Sequence, residues 1–253
     1  MPLISTPAIV LSSLRYAESS KIVRLATRDH GVQSGIAKGA LRPRSRFGAA
    51  LQVLSDGQAH LLLSDRRDLH TLTAFDVTHL RVALSADLRR YAAASALAEI
   101  VLRFAPAAPH QECFDLLRDS LSLLEVAHSS TLEPLGLRLL WRMVEILGYA
   151  PSLDCCARDG APLDRTGDIV ISAGDGGALC AGCARSTLTS RMPRRDYDAL
   201  VALVDPEREL PGLDARHAAA HRRLLSRYVC HHLGEGAVLP ALTFYSERSW
   251  ETP

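Results

Sequence analysis

The sequence predicts an α+β protein: a small β-barrel at the N-terminus, then an α-helical region that carries a cysteine-bearing insertion. Three observations predict it. Short apolar runs separated by turn signals fill roughly the first eighty residues. Amphipathic helical periodicity takes over from about Asp76. A Gly-, Asp- and Ser-rich stretch from Pro151 to Arg191 then breaks the helices and brings a C-x-x-C pair.

The strands come first. Ala8 to Tyr16 is apolar and β-branched before turning polar, and Lys21 to Thr27 reads KIVRLAT. Arg28-Asp29-His30-Gly31 is a turn signal, with Gly31 free to take a positive φ. Val32 to Lys38 resumes the strand pattern. Leu51 to Leu54 and Ala59 to Leu63 flank Ser55-Asp56-Gly57, whose Asp-Gly reads as a hairpin turn. Leu69 to Phe75 adds a further strand. Five or six short strands this close suggest a small closed barrel. The OB-fold is one such barrel, and pattern alone does not separate it from the others.

The helices follow. Ser85 to Phe104 has Ser85 as N-cap and a face of Leu88, Tyr91, Ala92, Ser95, Leu97 and Ile100. His110 to Ala127 and Leu132 to Leu147 are amphipathic, and Gly148 ends the second. Pro193 to Val204 and Asp214 to Leu233 supply two more helices; Arg216, Arg222, Arg223 and Arg227 give the last one a basic, solvated outer face. The expected domains are 1–80 for the barrel and 81–253 for the helices, with an insertion at 151–192.

Net charge is +1 over 253 residues, so any surface for a polyanion must come from local charge. The apolar fraction of 47% and charged fraction of 23% fit a folded soluble protein. Met1 to Val10 is broken by Pro2 and Pro7 and lacks the basic start of a signal peptide, and no apolar run is long enough to span a membrane. A cytoplasmic location is expected, and the six cysteines then read as thiols or metal ligands before disulfides.

The most distinctive local charge is Gly35 to Gln52, GIAKGALRPRSRFGAALQ, with Lys38, Arg42, Arg44 and Arg46 and no acidic residue between His30 and Ser55. Gly39, Pro43 and Gly48 keep it from being a regular helix. It reads as a cationic finger for a polyanion or as an ordinary solvated loop. Lys21 and Arg24, on a neighbouring strand, are the next candidates for contact. Phe47 either stacks on a base or buries its ring to anchor the loop.

Cys180 and Cys183 form a knuckle suited to tetrahedral Zn²⁺. The upstream half departs from a second C-x-x-C: Cys156 is followed three residues later by Asp159, with Cys155 as an adjacent alternative. A structural zinc held by Cys156, Asp159, Cys180 and Cys183 is one reading; a metal-free turn in which small thiols pack is the other. A deaminase reading from His110-Gln111-Glu112 plus Cys180 and Cys183 fails because Leu179, not Pro, precedes Cys180. His231 and His232 beside Cys230 project about 100° apart on a helix and cannot share a face. No phosphate-binding loop, nucleophile elbow or H-E-x-x-H occurs, so a binding protein is expected, not an enzyme.

The order of these features resembles the RecO family of bacterial recombination mediators. Tyr16, Glu18, Thr27, Gly31, Lys38, Gly39, Arg42, Ser45 and Arg46 match the family's N-terminal pattern. LLW…ILGYAPSLDCC from Leu139 to Cys156 and GGALCAGC from Gly176 to Cys183 continue it. Asp159 stands where family members with a zinc site carry their second cysteine. The resemblance implies an N-terminal OB domain, a helical domain and, in some members, a zinc-finger insertion. It implies binding of single- and double-stranded DNA, strand annealing, and work with RecR, in some bacteria RecF, to help the recombinase RecA displace single-strand-binding protein. Lys38, Arg42, Arg44 and Arg46, with Lys21 and Arg24, are the DNA contacts expected on that basis. The alternative is a scaffold that recruits repair proteins with little DNA affinity of its own.

Overall fold

The computed structural model describes residues 2–64, 68–164, 166–185, 191–233 and 238–248. Arg165 and residues 186–190 of the expected insertion lie outside the described residues. The chain forms two compact units, Met1–Val126 and Ala127–Pro253.

The first unit holds β1 (Leu3–Tyr16), β2 (Ser20–Thr27), β3 (Gly31–Ala37), β4 (Asp56–Leu62) and β5 (Leu69–His79), then α1 (Val82–Ala86), α2 (Leu88–Phe104) and α3 (Gln111–Val126). The strands close into a barrel in the order β1-β2-β3-β5-β4, with β3 and β5 parallel and the other pairs antiparallel. This is the strand order of an OB-fold. Val10, Val23, Leu25, Leu61 and Leu72 fill its core. β1 serves two neighbours: Leu3 to Ile9 pair with β4, and Ala8 to Tyr16 pair with β2, with a bulge at Leu11 that shifts the register. Pro7 lies just outside the β2 ladder, where a missing N–H removes no bond to that strand, and its carbonyl accepts from Arg28 N at 3.0 Å.

Four expectations here are corrected. Asp56-Gly57 is not a hairpin turn but the start of β4. Gly57 is needed because a Cβ would stand 2.6 Å from Asp76 O and 2.7 Å from the Phe75 ring. The Asp56 carboxylate is taken by Arg81, 2.5 Å away, which also reaches Glu125 at 2.9 Å. Leu51 to Leu54 is a turn, not a strand. The long helix begins at Leu88, not Ser85: Asp87 is its cap, accepting from Arg89 N at 2.8 Å and Arg90 N at 3.3 Å. Ser85 sits in α1 and donates to Val82 O. Leu88 and Tyr91 face solvent, and the buried face is instead alanine-rich, from Ala92 to Ala98 with Leu97, Ile100 and Val101.

The second unit holds α4 (Leu132–Ile146), a small antiparallel sheet in the order β7-β6-β8, and helices α6 (Arg194–Val204), α7 (Ala215–His232) and α8 (Pro240–Glu247). The sheet consists of β6 (Ile169–Ser172), β7 (Gly177–Leu179) and β8 (Arg191–Met192), with the one-turn α5 (Ala181–Ala184) after β7. Trp141 of α4 meets Tyr228 of α7 edge-on, ring centroids 5.2 Å apart. The basic helix is not wholly solvated: Arg222 is buried and donates to Glu133 at 2.5 Å, and Arg248 binds the same carboxylate. Arg216, Arg223 and Arg227 are exposed.

Candidate nucleic-acid interface and metal centre

The basic stretch between β3 and β4 is a run of successive turns. Backbone bonds from Arg42 N to Gly39 O, Ser45 N to Arg42 O, Gly48 N to Ser45 O and Ala50 N to Phe47 O fold it locally. Gly39 and Gly48 take φ of 73° and 46°, the left-handed region that glycine enters without steric cost. Ala40, Phe47 and Leu51 drop into the barrel core, and Leu54 is buried beside them in sequence. Phe47 is 2% exposed, so its ring anchors the loop and is not open to a base. Leu41 N bonds to Ser19 O at 2.9 Å, tying the loop to the β1–β2 hairpin tip.

With apolar residues turned in, the cations turn out. Lys38, Arg42, Arg44 and Arg46 are all exposed, and among the described residues none of them forms an ion pair. The Arg46 guanidinium lies 5.3 Å from the Phe47 ring centroid, a contact that orients it without neutralising it. Lys21 and Arg24 are half-buried on β2, and the Arg24 Nε is buried without a hydrogen-bond partner among the described residues. Sequence reasoning missed Arg15. It is exposed and pairs across the ladder with Lys21, which in turn pairs with Ala37 just before Lys38. Strand alternation could have found it, since Arg15 and Lys21 share a face once the two strands are aligned.

The cysteine segment brings Cys156, Asp159, Cys180 and Cys183 together, their ligand atoms all within 4.8 Å of one another. The Cys183 Sγ is 3.1 Å and the Cys180 Sγ 3.5 Å from Asp159 Oδ2. Donors of a tetrahedral zinc bound through sulfur and oxygen stand about 3.5 Å apart, so the set fits a Cys₃Asp site. The fold positions each ligand. Cys180 caps α5 and its Sγ accepts from Cys183 N, while Gly177 approaches Ser152 so closely that a Cβ would meet Ser152 O at 2.1 Å. Arg158 clamps Asp175 with two bonds of 2.9 Å and donates to Cys183 O at 3.2 Å.

The electrostatics follow from thiols surrounding one carboxylate. Hydrogen bonding from Cys156, then from Ala161 N and Cys183, holds Asp159 well below the usual carboxylate range. The same bond to Asp159 pushes the Cys183 thiol up to about 12. Burial and the bond to the Asp159 carboxylate would raise Cys156, but backbone N–H groups of Cys180, Asp159 and Arg158 together outweigh them and lower that thiol. Cys155 does not join: it is exposed, and its Sγ is 3.6 Å from Ser152 Oγ.

The remaining sequence candidates serve as structure. His110 Nδ1 accepts from Cys113 N at 3.1 Å, capping α3. Cys113 is buried, which pushes its thiol up to about 11 and away from reactivity. His232 Nε2 lies 2.5 Å from Ala173 O, a donor rather than a ligand.

Comparison with known proteins points to a single family. Residues 1–81 match the family model described as Recombination protein O N terminal, and residues 85–238 match Recombination protein O C terminal. The chain is 32% identical over 246 residues to the DNA repair protein RecO of Anaeromyxobacter sp. (strain K), covering 92% of this chain and 93% of that one. It is 33% identical to the RecO of Rubrobacter xylanophilus, covering 92% of each, and 36% identical over 184 residues to that of Geobacter metallireducens, covering 71% of this chain and 72% of that one.

Proposed function

This chain belongs to the RecO family of DNA repair proteins, and from that premise we propose that it is a non-enzymatic mediator that binds single- and double-stranded DNA and anneals complementary strands. With RecR, and in some settings RecF, it helps load the recombinase onto DNA coated by single-strand-binding protein. Residues 1–80 are the DNA-binding domain in this reading. Lys38, Arg42, Arg44 and Arg46 are its principal contacts, with Lys21 and Arg24 beside them. The observation that carries it is a row of exposed cations that form no ion pair among the described residues, on a backbone fixed by buried apolar side chains.

Such a loop needs no chemistry to act. Each cation that meets a phosphate releases a counterion, so binding is strong at low salt, weak at high salt and indifferent to sequence. Annealing follows when one cationic surface holds two polyanions close enough to pair. The loop offers few side chains for base-edge readout apart from the arginines themselves. Cys156, Asp159, Cys180 and Cys183 hold one Zn²⁺ in this reading, which would cross-link the segment and leave no open coordination position for catalysis. No helix among the described residues is long and apolar enough to cross a membrane, and a cytoplasmic, nucleoid-associated protein fits a DNA partner.

The test is a single-strand titration at several salt concentrations. Replacing Arg42, Arg44 and Arg46 together by Ala lowers the slope of log affinity against log salt by about 2, from roughly 0.7 per phosphate contact. An unchanged slope removes the loop from the interface. No intrinsic affinity in the unaltered protein, with RecR still captured, leaves a recruiting scaffold instead.

A further inference from the structure

We propose that His217, His221 and Asp196 form a site for a divalent transition-metal ion, distinct from the cysteine cluster and open on one side to a cavity. The site stands independently of the DNA-binding reading above.

His217 and His221 are four residues apart on α7, so both rings leave the helix on one face. That face meets the first turn of α6, which carries Asp196. His217 Nε2 lies 3.8 Å and His221 Nε2 4.0 Å from the same atom, Asp196 Oδ1. Two imidazole nitrogens and a carboxylate oxygen are a donor set that suits Zn²⁺, Ni²⁺ or Co²⁺. The other nitrogen of His217, Nδ1, is 2.7 Å from Asp214 Oδ2, the kind of carboxylate contact that orients a metal-binding ring. Asp214 is itself fixed as the N-cap of α7, accepting from His217 N at 2.9 Å.

Ion pairing alone does not account for this arrangement. His221 is 1% exposed, and neither of its ring nitrogens has a hydrogen-bond partner among the described residues. A buried imidazole left without partners is costly. At 3.8 and 4.0 Å, both rings stand beyond hydrogen-bond reach of Asp196. An ion between the three side chains gives each of them a partner. Tetrahedral nitrogen and oxygen donors stand about 3.3 Å apart, so side-chain rotation must close each gap by roughly 0.5–0.7 Å. The set is looser than the cysteine cluster, whose ligand atoms all lie within 4.8 Å of one another, and its ion is held more weakly.

The fourth position is open. Among the described residues, Asp196 and His221 line a cavity of about 140 Å³ together with Met192, Leu224, Arg191 and Arg227. Three protein ligands beside a cavity leave room for an exchangeable one. Arg191 and Arg227 are exposed and repel a bare cation, and a small anion bound in the open position offsets them.

The test takes the full chain, stripped of metal by a chelator, and titrates it with Co²⁺ alone, followed by calorimetry and optical absorption. Cobalt held by thiolates shows a strong sulfur-to-metal charge-transfer band in the near ultraviolet, whereas cobalt held by nitrogen and oxygen shows only weak visible bands. One binding event without the sulfur band is expected. Contact-shifted ring signals from two histidines are expected in the proton NMR spectrum of the unaltered protein, a readout that needs no variant to fold. His217→Gln, at a half-buried position, and the isosteric Asp196→Asn should each weaken that event at least about tenfold, the lower end of the cost of losing an orienting partner alone, and leave any sulfur band unchanged. Urea unfolding of the metal-free proteins checks that both variants fold. The proposal is overturned if the sulfur band accounts for all bound Co²⁺, if no histidine ring signal shifts, or if the folded variants bind Co²⁺ as the unaltered protein does.

Discussion

The two irregular segments of this chain, the basic loop after β3 and the cysteine segment before α6, are held in opposite ways. The loop is anchored by apolar side chains: Ala40, Phe47 and Leu51 sink into the barrel core, and its charged groups are left facing water. The cysteine segment has a small apolar cluster around Cys156, Val170 and Leu179, besides the buried Leu153, Ile169, Ile171 and Ala178. Its polar groups are spent internally, on the Arg158–Asp175 clamp, the thiol–carboxylate cluster and a bond from the Tyr197 hydroxyl to Leu153 O. A segment whose charges have partners within the fold is cross-linked. One whose charges have none among the described residues presents them to solvent. Counting Arg or Asp in the sequence does not distinguish the two; the distinction lies in what holds the backbone.

That contrast can be broken in four places. Phe47→Ala removes the loop's main anchor, and unfolding in urea should show a loss of about 3–5 kcal/mol, the usual range for a buried Phe. A loss below about 1 kcal/mol would mean that the turns hold the loop without the core. In the cysteine segment, the Zn²⁺ proposed above would have to displace the proton of Cys183, whose thiol is pushed up to about 12 and is therefore protonated in neutral solution. Apparent zinc affinity should therefore rise at least tenfold per pH unit between pH 6 and 8, about 1.4 kcal/mol, in competition with a chelator of known affinity. Affinity independent of pH would place the metal elsewhere. Arg158→Ala opens the clamp, but its side chain is 38% exposed and solvent-screened, so only a small loss of stability is expected in the same urea assay. The smallest stability effect belongs to the loop arginines. Replacing Arg42, Arg44 and Arg46 by Ala should move unfolding by no more than about 0.5 kcal/mol even as DNA affinity falls. A larger change would show that these side chains hold the loop.

Much of this was legible in the sequence because the signals were local. The periodicity of α3, α4, α6 and α7, the Gly31 turn and the C-x-x-C spacing each depend on neighbours a few residues away. What was illegible depended on distant partners. Asp56-Gly57 looks like a turn until Arg81 and Phe75 occupy the two positions. Arg222 looks like part of a solvated face until Glu133 arrives from α4. Leu88 and Tyr91 look like core until a run of alanines packs more closely. In the cysteine segment, the fold brings together the four residues that spacing named and supplies the convergence that spacing could not: three thiols gathered around one carboxylate.

β1 lies between β2 and β4 in the closed barrel, pairing with one along its second half and with the other along its first. Its partner on one side follows within a few residues, whereas Leu3 must find Leu62. During synthesis the β1–β2–β3 meander is complete while half of β1 still presents an open edge. Covering that edge waits for the basic loop and β4 to leave the ribosome, and closure of the barrel waits for β5. Pairings this distant in sequence form slowly, and open edges invite intermolecular pairing. The loop proposed to grip DNA is thus also the tether that brings β4 back onto β1, and its length sets how long the N-terminal strand remains open to the wrong partner.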